Sequence, residues 1–104
     1  MKSKFRGTYM AVVYKTNPNY SAQTISGVTV IIPVSQDCPK FNGMMKLTGI
    51  GPFLWDVFKN GATFEDACLR VINDYEVSSE TVYKDVRAFI TSLMENGLLI
   101  EIGV

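Results

Sequence analysis

Met44-Met-Lys-Leu-Thr-Gly-Ile-Gly-Pro-Phe-Leu-Trp55 opens the stretch that decides the fold, and Asp85-Val-Arg-Ala-Phe-Ile-Thr-Ser-Leu-Met-Glu-Asn-Gly-Leu-Leu99 closes it. The first piece reads as a short strand, Met44 to Leu47, turning into a helix at Thr48-Gly49. In that helix, over about Gly49 to Lys59, Ile50, Phe53, Leu54, Val57 and Phe58 make one apolar stripe at helical spacing. Pro52 is tolerated in the first turn, Thr48 is placed to cap it, and Asn60-Gly61 ends it. A second helix follows Thr63, a good cap with Glu65 and Asp66 at the positive end of the dipole. Its stripe is Phe64, Ala67, Cys68, Val71, Ile72 and Tyr75. A third begins after Ser78 or Ser79, carries Val82, Val86, Phe89, Ile90 and Leu93, and stops at Asn96-Gly97. Leu98 to Ile102 follows as a tail strand or as core filling.

Upstream lies a hairpin. Tyr20 to Ile25 and Val28 to Val34 are rich in β-branched residues, and the Ser26-Gly27 pair between them predicts antiparallel pairing. Pro33 marks a strand end or an edge. Ser35 to Gly43 is a loop. Tyr9 to Tyr14 reads as a short strand or a packing segment, Thr16-Asn-Pro-Asn19 as a turn, and residues 1–8 as disordered. The fold class expected is therefore α+β: a three-stranded antiparallel sheet followed by a three-helix bundle, winged-helix-like. Residues 1–19 form an N-terminal extension and residues 20–104 the domain proper.

With 104 residues and 47% hydrophobic content the chain is one domain able to bury a core. The net charge of zero gives no global pull toward nucleic acid or membranes. It conceals an asymmetry: Lys2, Lys4, Arg6 and Lys15 make residues 1–20 basic, and the remainder is acidic by the same amount. A short basic end more often solubilises than binds. There is no histidine, so Ser-His and Cys-His nucleophiles and the commonest metal ligand are excluded. Cys38 and Cys68 have no zinc or redox spacing. One possible pair in a chain with an adequate core suggests a reducing compartment. The run Tyr9 to Tyr14 is too short for an export signal or a membrane span, which leaves the cytoplasm as the expected location.

No constellation of residues points to catalysis. Glu65 with Asp66 and Asp74 with Glu76 sit at helix ends or on solvated faces. Gly49-Ile-Gly-Pro lacks the glycines of a phosphate loop. Neither a metal nor a cofactor is expected. The short turn between the second and third helices invites a winged-helix DNA-binding regulator as the alternative function. The third helix, however, sets Lys84 and Arg87 against Glu80, Asp85 and Glu95, a balance that phosphate repels. Trp55 either completes the core or lines an interface. Of Met44 and Met45, adjacent in a strand, one should face away from the helices. Thr81, Asp85, Ala88 and Ser92 form a small polar stripe along the third helix, either a solvated flank or the wall of a groove.

Several pieces in this order resemble the PqqD-like family (coenzyme PQQ synthesis protein D), also called the RiPP precursor-peptide recognition element. They are Ile25-Ser-Gly-Val-Thr-Val-Ile-Ile-Pro-Val34, Asn42 to Trp55, Asp74-Tyr-Glu-Val-Ser78, Asp85 to Ile90, and Leu93 with Gly97-Leu-Leu99. Relatives commonly have an Asn ahead of the Thr-Gly corner, where this chain has Leu47. The resemblance implies a non-catalytic peptide chaperone. It binds the leader of a ribosomally made precursor by strand addition and presents it to a modifying enzyme, often a radical SAM protein, as in PQQ biosynthesis. It further implies a peptide-binding edge at Met44, Met45, Lys46 and Leu47 and a groove wall at Asp85, Ala88 and Ser92. An open edge of this kind can also pair with a second copy, giving a homodimer.

Overall fold

The computed structural model describes residues 12–34 and 44–103. The whole loop from Ser35 to Gly43, Cys38 included, and residues 1–8 with the start of the Tyr9 to Tyr14 segment lie outside the described residues. The order is β1 (Val13–Thr16), β2 (Tyr20–Ile25), β3 (Val28–Pro33), β4 (Met45–Leu47), α1 (Gly51–Phe58), β5 (Ala62–Thr63), α2 (Phe64–Asp74), α3 (Ser79–Glu95) and β6 (Leu99–Gly103). Two small antiparallel sheets and three helices make the α+β fold expected from the sequence.

One sheet has the order β2-β3-β4. Ser26 and Gly27 both adopt positive φ, 53° and 79°. That is the two-residue turn whose twist matches the strands it joins. The register runs from Ile25↔Val28 to Tyr20↔Pro33, and the Thr24 and Thr29 hydroxyls meet at 3.0 Å. Pro33 closes the strand, where its missing N–H is harmless. β4 pairs with β3 through Thr29↔Leu47, Val30↔Lys46 and Ile31↔Met45. Tyr20, Ile31 and Leu47 enter the core from one face of this sheet.

The second sheet, β5-β1-β6, is an addition to the expected single sheet. β1 is its middle strand, with Tyr14 opposite both Ala62 and Glu101. The tail after α3 is thus a strand, and Leu98 and Leu99 at its start are also core residues.

The helices form where their stripes and caps predict. Thr63 Oγ1 accepts from the Asp66 amide at 3.0 Å, and Ser78 Oγ accepts from the Thr81 amide at 3.3 Å. α3 ends in a Schellman motif: Leu98 N–H donates to the Leu93 carbonyl (2.8 Å) and Gly97 N–H to Met94 (3.1 Å), with Gly97 at φ 74°. The start of α1 differs from expectation. Gly49, at φ 57°, turns the chain so that the Gly51 amide donates to the Thr48 carbonyl at 2.8 Å. The N-cap position therefore falls on Ile50, and no side chain caps it. Trp55 is 5% exposed and belongs to the core, as do Leu54 and Phe58. Phe58 stacks on Phe89 with ring centroids 6.2 Å apart, joining α1 to α3. Cys68 is a free, buried thiol. Burial pushes its pKa up, Glu65 adds to the shift, and Arg87 opposes it. Among the described residues no helix is long and apolar enough to cross a membrane.

Candidate functional site

Among the described residues β4 is paired on one side only. Its inner edge meets β3, and no described strand meets its outer edge. Alternation along three residues sorts the side chains: Leu47 is buried, Met45 packs against the core, and Lys46 between them is exposed. Met44, just before the strand, is 64% exposed. Of the methionine pair, Met45 packs against the core and Met44, outside the strand, is exposed.

Beside this strand lies a groove of about 390 Å³. One wall is the run Met45 to Gly51, that is β4 and the corner into α1. The other is α3, through Asp85, Ala88, Phe89, Ser92 and Leu93, with Leu54 also lining the space. Asp85, Ala88 and Ser92 are exposed on successive turns of α3, while Phe89 and Leu93 lie deeper. The helical repeat explains this arrangement. Residues three and four apart share a face, so the stripe of small and polar residues runs beside the core stripe of Val86, Phe89 and Leu93.

Met45, Lys46, Leu47, Asp85, Ala88 and Ser92 all line this groove; Met44 does not. Thr81, the first member of the polar stripe, is engaged instead with the Ser78 hydroxyl at 2.9 Å in the cap of α3. The apolar lining from Ile50, Leu54, Phe89 and Leu93 was readable only as core. All four fall on the buried stripes of α1 and α3, and nothing in their spacing marks them as reaching a groove as well.

Ala88 and Ser92 are short, so the helical side chains leave space beside the edge of β4 there. Asp85 puts a charge on the helical wall, Lys46 belongs to the strand wall with its side chain on the outer face of the sheet, and neither makes an ion pair among the described residues. The remaining charges of α3 do not build a phosphate-binding face. The Arg87 guanidinium lies 4.5 Å from the centroid of the Phe64 ring, held over α2. No three His, Cys, Asp or Glu side chains among the described residues converge on a metal position.

A second hollow of about 510 Å³ lies between β2 and α1, lined by Tyr20, Thr24, Thr29, Phe53, Trp55, Asp56 and Lys59 among others. It is bordered by the other edge of the same sheet.

The model of the family described as coenzyme PQQ synthesis protein D matches residues 29–99, more than half of the chain. The chain belongs to the PqqD family. Two solved structures share its fold. One, described as TbiB1 in complex with the TbiA(beta) leader peptide, superposes with a TM-score of 0.66 and 21% identity, covering 82% of this chain and 93% of that one. The other, a lasso peptide synthetase B1 complexed with the leader peptide, gives a TM-score of 0.67 and 20% identity, covering 84% and 96%. No curated protein matches the sequence. The PqqD match begins within β3, so β1 and β2 lie upstream of it.

Proposed function

We propose that this PqqD-family chain is a leader-peptide-binding accessory protein without catalytic activity of its own. It takes an extended precursor segment as a further strand on the outer edge of β4 and presents it to a peptide-modifying enzyme, a radical SAM protein being the partner class favoured. The observation that carries this reading is the edge of β4 that no described strand pairs, facing α3 across a groove. Backbone N–H and C=O groups on such an edge supply affinity, and the groove sorts alternate side chains. The two structural neighbours are themselves leader-peptide complexes, which supports the same use of the fold here.

In this reading Met45, Lys46 and Leu47 supply the edge, Met44 extends it, and Asp85, Ala88 and Ser92 form the helical wall. The DNA-binding alternative requires a basic face on α3, and α3 has a net negative charge. The discriminating experiment is an NMR titration of isotope-labelled protein with leader peptides encoded beside the gene, and separately with duplex DNA. Amide shifts concentrated at residues 44–47 and on the groove side of α3 are the expected result. Saturable DNA binding with no response to peptide overturns the proposal.

A further inference from the structure

Among the described residues Lys46 has no counter-charge on its own side of the sheet. It is the middle residue of β4, and its neighbours Met45 and Leu47 turn toward the helices, so its side chain stands on the opposite face. There its partner across the ladder is Val30. The residues flanking Val30 on that face of β3 are Val28 and Ile32. None of the three can neutralise an ammonium group, and among the described residues Lys46 makes no ion pair. Among the described residues, the cross-strand position left beside it is on the outer side of β4.

We propose that the captured segment presents three consecutive residues to Met45-Lys46-Leu47 in the pattern apolar–acidic–apolar. The inference rests on the strand-addition reading and assigns a sequence preference to it. The carboxylate stands beside Lys46 on the outer face. The two flanking side chains, on the other face by strand alternation, enter the groove lined by Ile50, Leu54, Phe89 and Leu93. The pattern reads the same in both directions, so it holds whether the added strand runs parallel or antiparallel to β4. Opposite charges directly across a ladder stabilise it and like charges destabilise it. The same lysine that favours an acidic centre therefore rejects a basic one.

The test is a display library with a randomised segment, selected against the full chain and against Lys46→Glu and Lys46→Gln variants. Because Lys46 is exposed, both variants should retain the native circular dichroism. The full chain should enrich Asp or Glu between two apolar residues. Lys46→Glu should switch the central preference to Lys or Arg, and Lys46→Gln should lose it. For synthetic peptides from the selection, exchanging the central Glu for Lys should lower affinity for the native chain by about 3- to 10-fold and raise it by a similar factor for Lys46→Glu. Selected peptides that shift the β4 amides but show no central acid, or no switch, overturn the sequence preference alone. If no segment is enriched, or if the enriched ones leave the β4 amides unmoved, strand addition itself fails.

Discussion

Asn17 donates from its side-chain amide to the Gly97 carbonyl at 2.8 Å, tying the turn between β1 and β2 to the end of α3. Its Oδ1 accepts from the Asn19 amide at 2.9 Å, and its own backbone N–H donates to Leu98 at 2.9 Å. One residue thus couples the two sheets to the Schellman end of α3. Asn17→Ala removes both side-chain bonds and keeps the backbone one. We expect a loss of about 1–2 kcal/mol in urea unfolding and unchanged peptide affinity, since Asn17 lies outside the groove. An unchanged unfolding midpoint would show that the side-chain bonds contribute nothing net.

Gly51 sits where β4 turns into α1, and a Cβ there would lie 3.2 Å from Leu47 Cβ. Alanine is favoured over glycine in a helix by about 1 kcal/mol, but Leu47 Cβ is fixed to a strand backbone and cannot swing away. Gly51→Ala should therefore be destabilising on balance, by about 0.5–1 kcal/mol, and should displace β4. Thermal unfolding together with amide shifts at residues 45–47 checks this. A stabilised variant with unmoved β4 amides would mean that the corner yields more easily than its packing implies.

What the sequence made legible was what is local. The stripes of α1, α2 and α3, the caps Thr63 and Ser78, and the Ser26-Gly27 turn each depend on residues a few positions apart, and each appears in the structure, except that Tyr75, read as the end of the α2 stripe, falls at the C-cap and is exposed. The second sheet was not legible, because β5 is only Ala62–Thr63 and its partner β1 comes from the far end of the chain. A two-residue strand has no alternation to read, and its existence depends on β1 arriving beside it. Thr48 was misread as a cap because its hydroxyl has the right chemistry, while the left-handed Gly49 shifts the cap position to Ile50. Of the groove, the polar stripe on α3 and the edge at β4 were visible. The apolar residues lining it were hidden among core positions that look the same from sequence.

The buried Cys68 thiol links stability to alkaline pH. Burial raises its pKa above the ordinary thiol value of ~8.5. The native state then holds its proton to higher pH than the unfolded chain does. Above the unfolded pKa the native state binds more protons, so stability falls as pH rises and continues to fall until the native thiol itself ionises. Urea unfolding under reducing conditions should show this alkaline slope in the native chain and a smaller one in Cys68→Ala. Identical slopes would remove Cys68 as its source.

Asp85→Lys is expected to weaken peptide binding without unfolding the domain, because Asp85 is exposed and makes no ion pair among the described residues. Ala88→Leu tests the same wall by volume rather than charge. It is an exposed substitution between two good helix formers, so the fold should tolerate it. A leucine there would intrude on the space that the short side chains leave open, and affinity should fall at least about tenfold, the equivalent of 1.4 kcal/mol. Native affinity in both variants would take the helical wall out of the binding site.

Strand addition has a signature that no other mode of peptide capture shares. In a strand, successive backbone N–H groups point to opposite edges, so only every second amide of a bound segment donates to β4. A series of peptides N-methylated at one position at a time should therefore alternate between weakened and near-native binding along the segment. Each weakened position loses a hydrogen bond of roughly 0.5–1.5 kcal/mol and adds a steric clash, which makes the contrast readable in a fluorescence titration. A peptide bound as a helix would be damaged at nearly every interior position, and one held by side chains alone would show no regular period. Because the alternation reports on the backbone, it is independent of Asp85, Lys46 and the rest of the groove, and it tests strand addition itself.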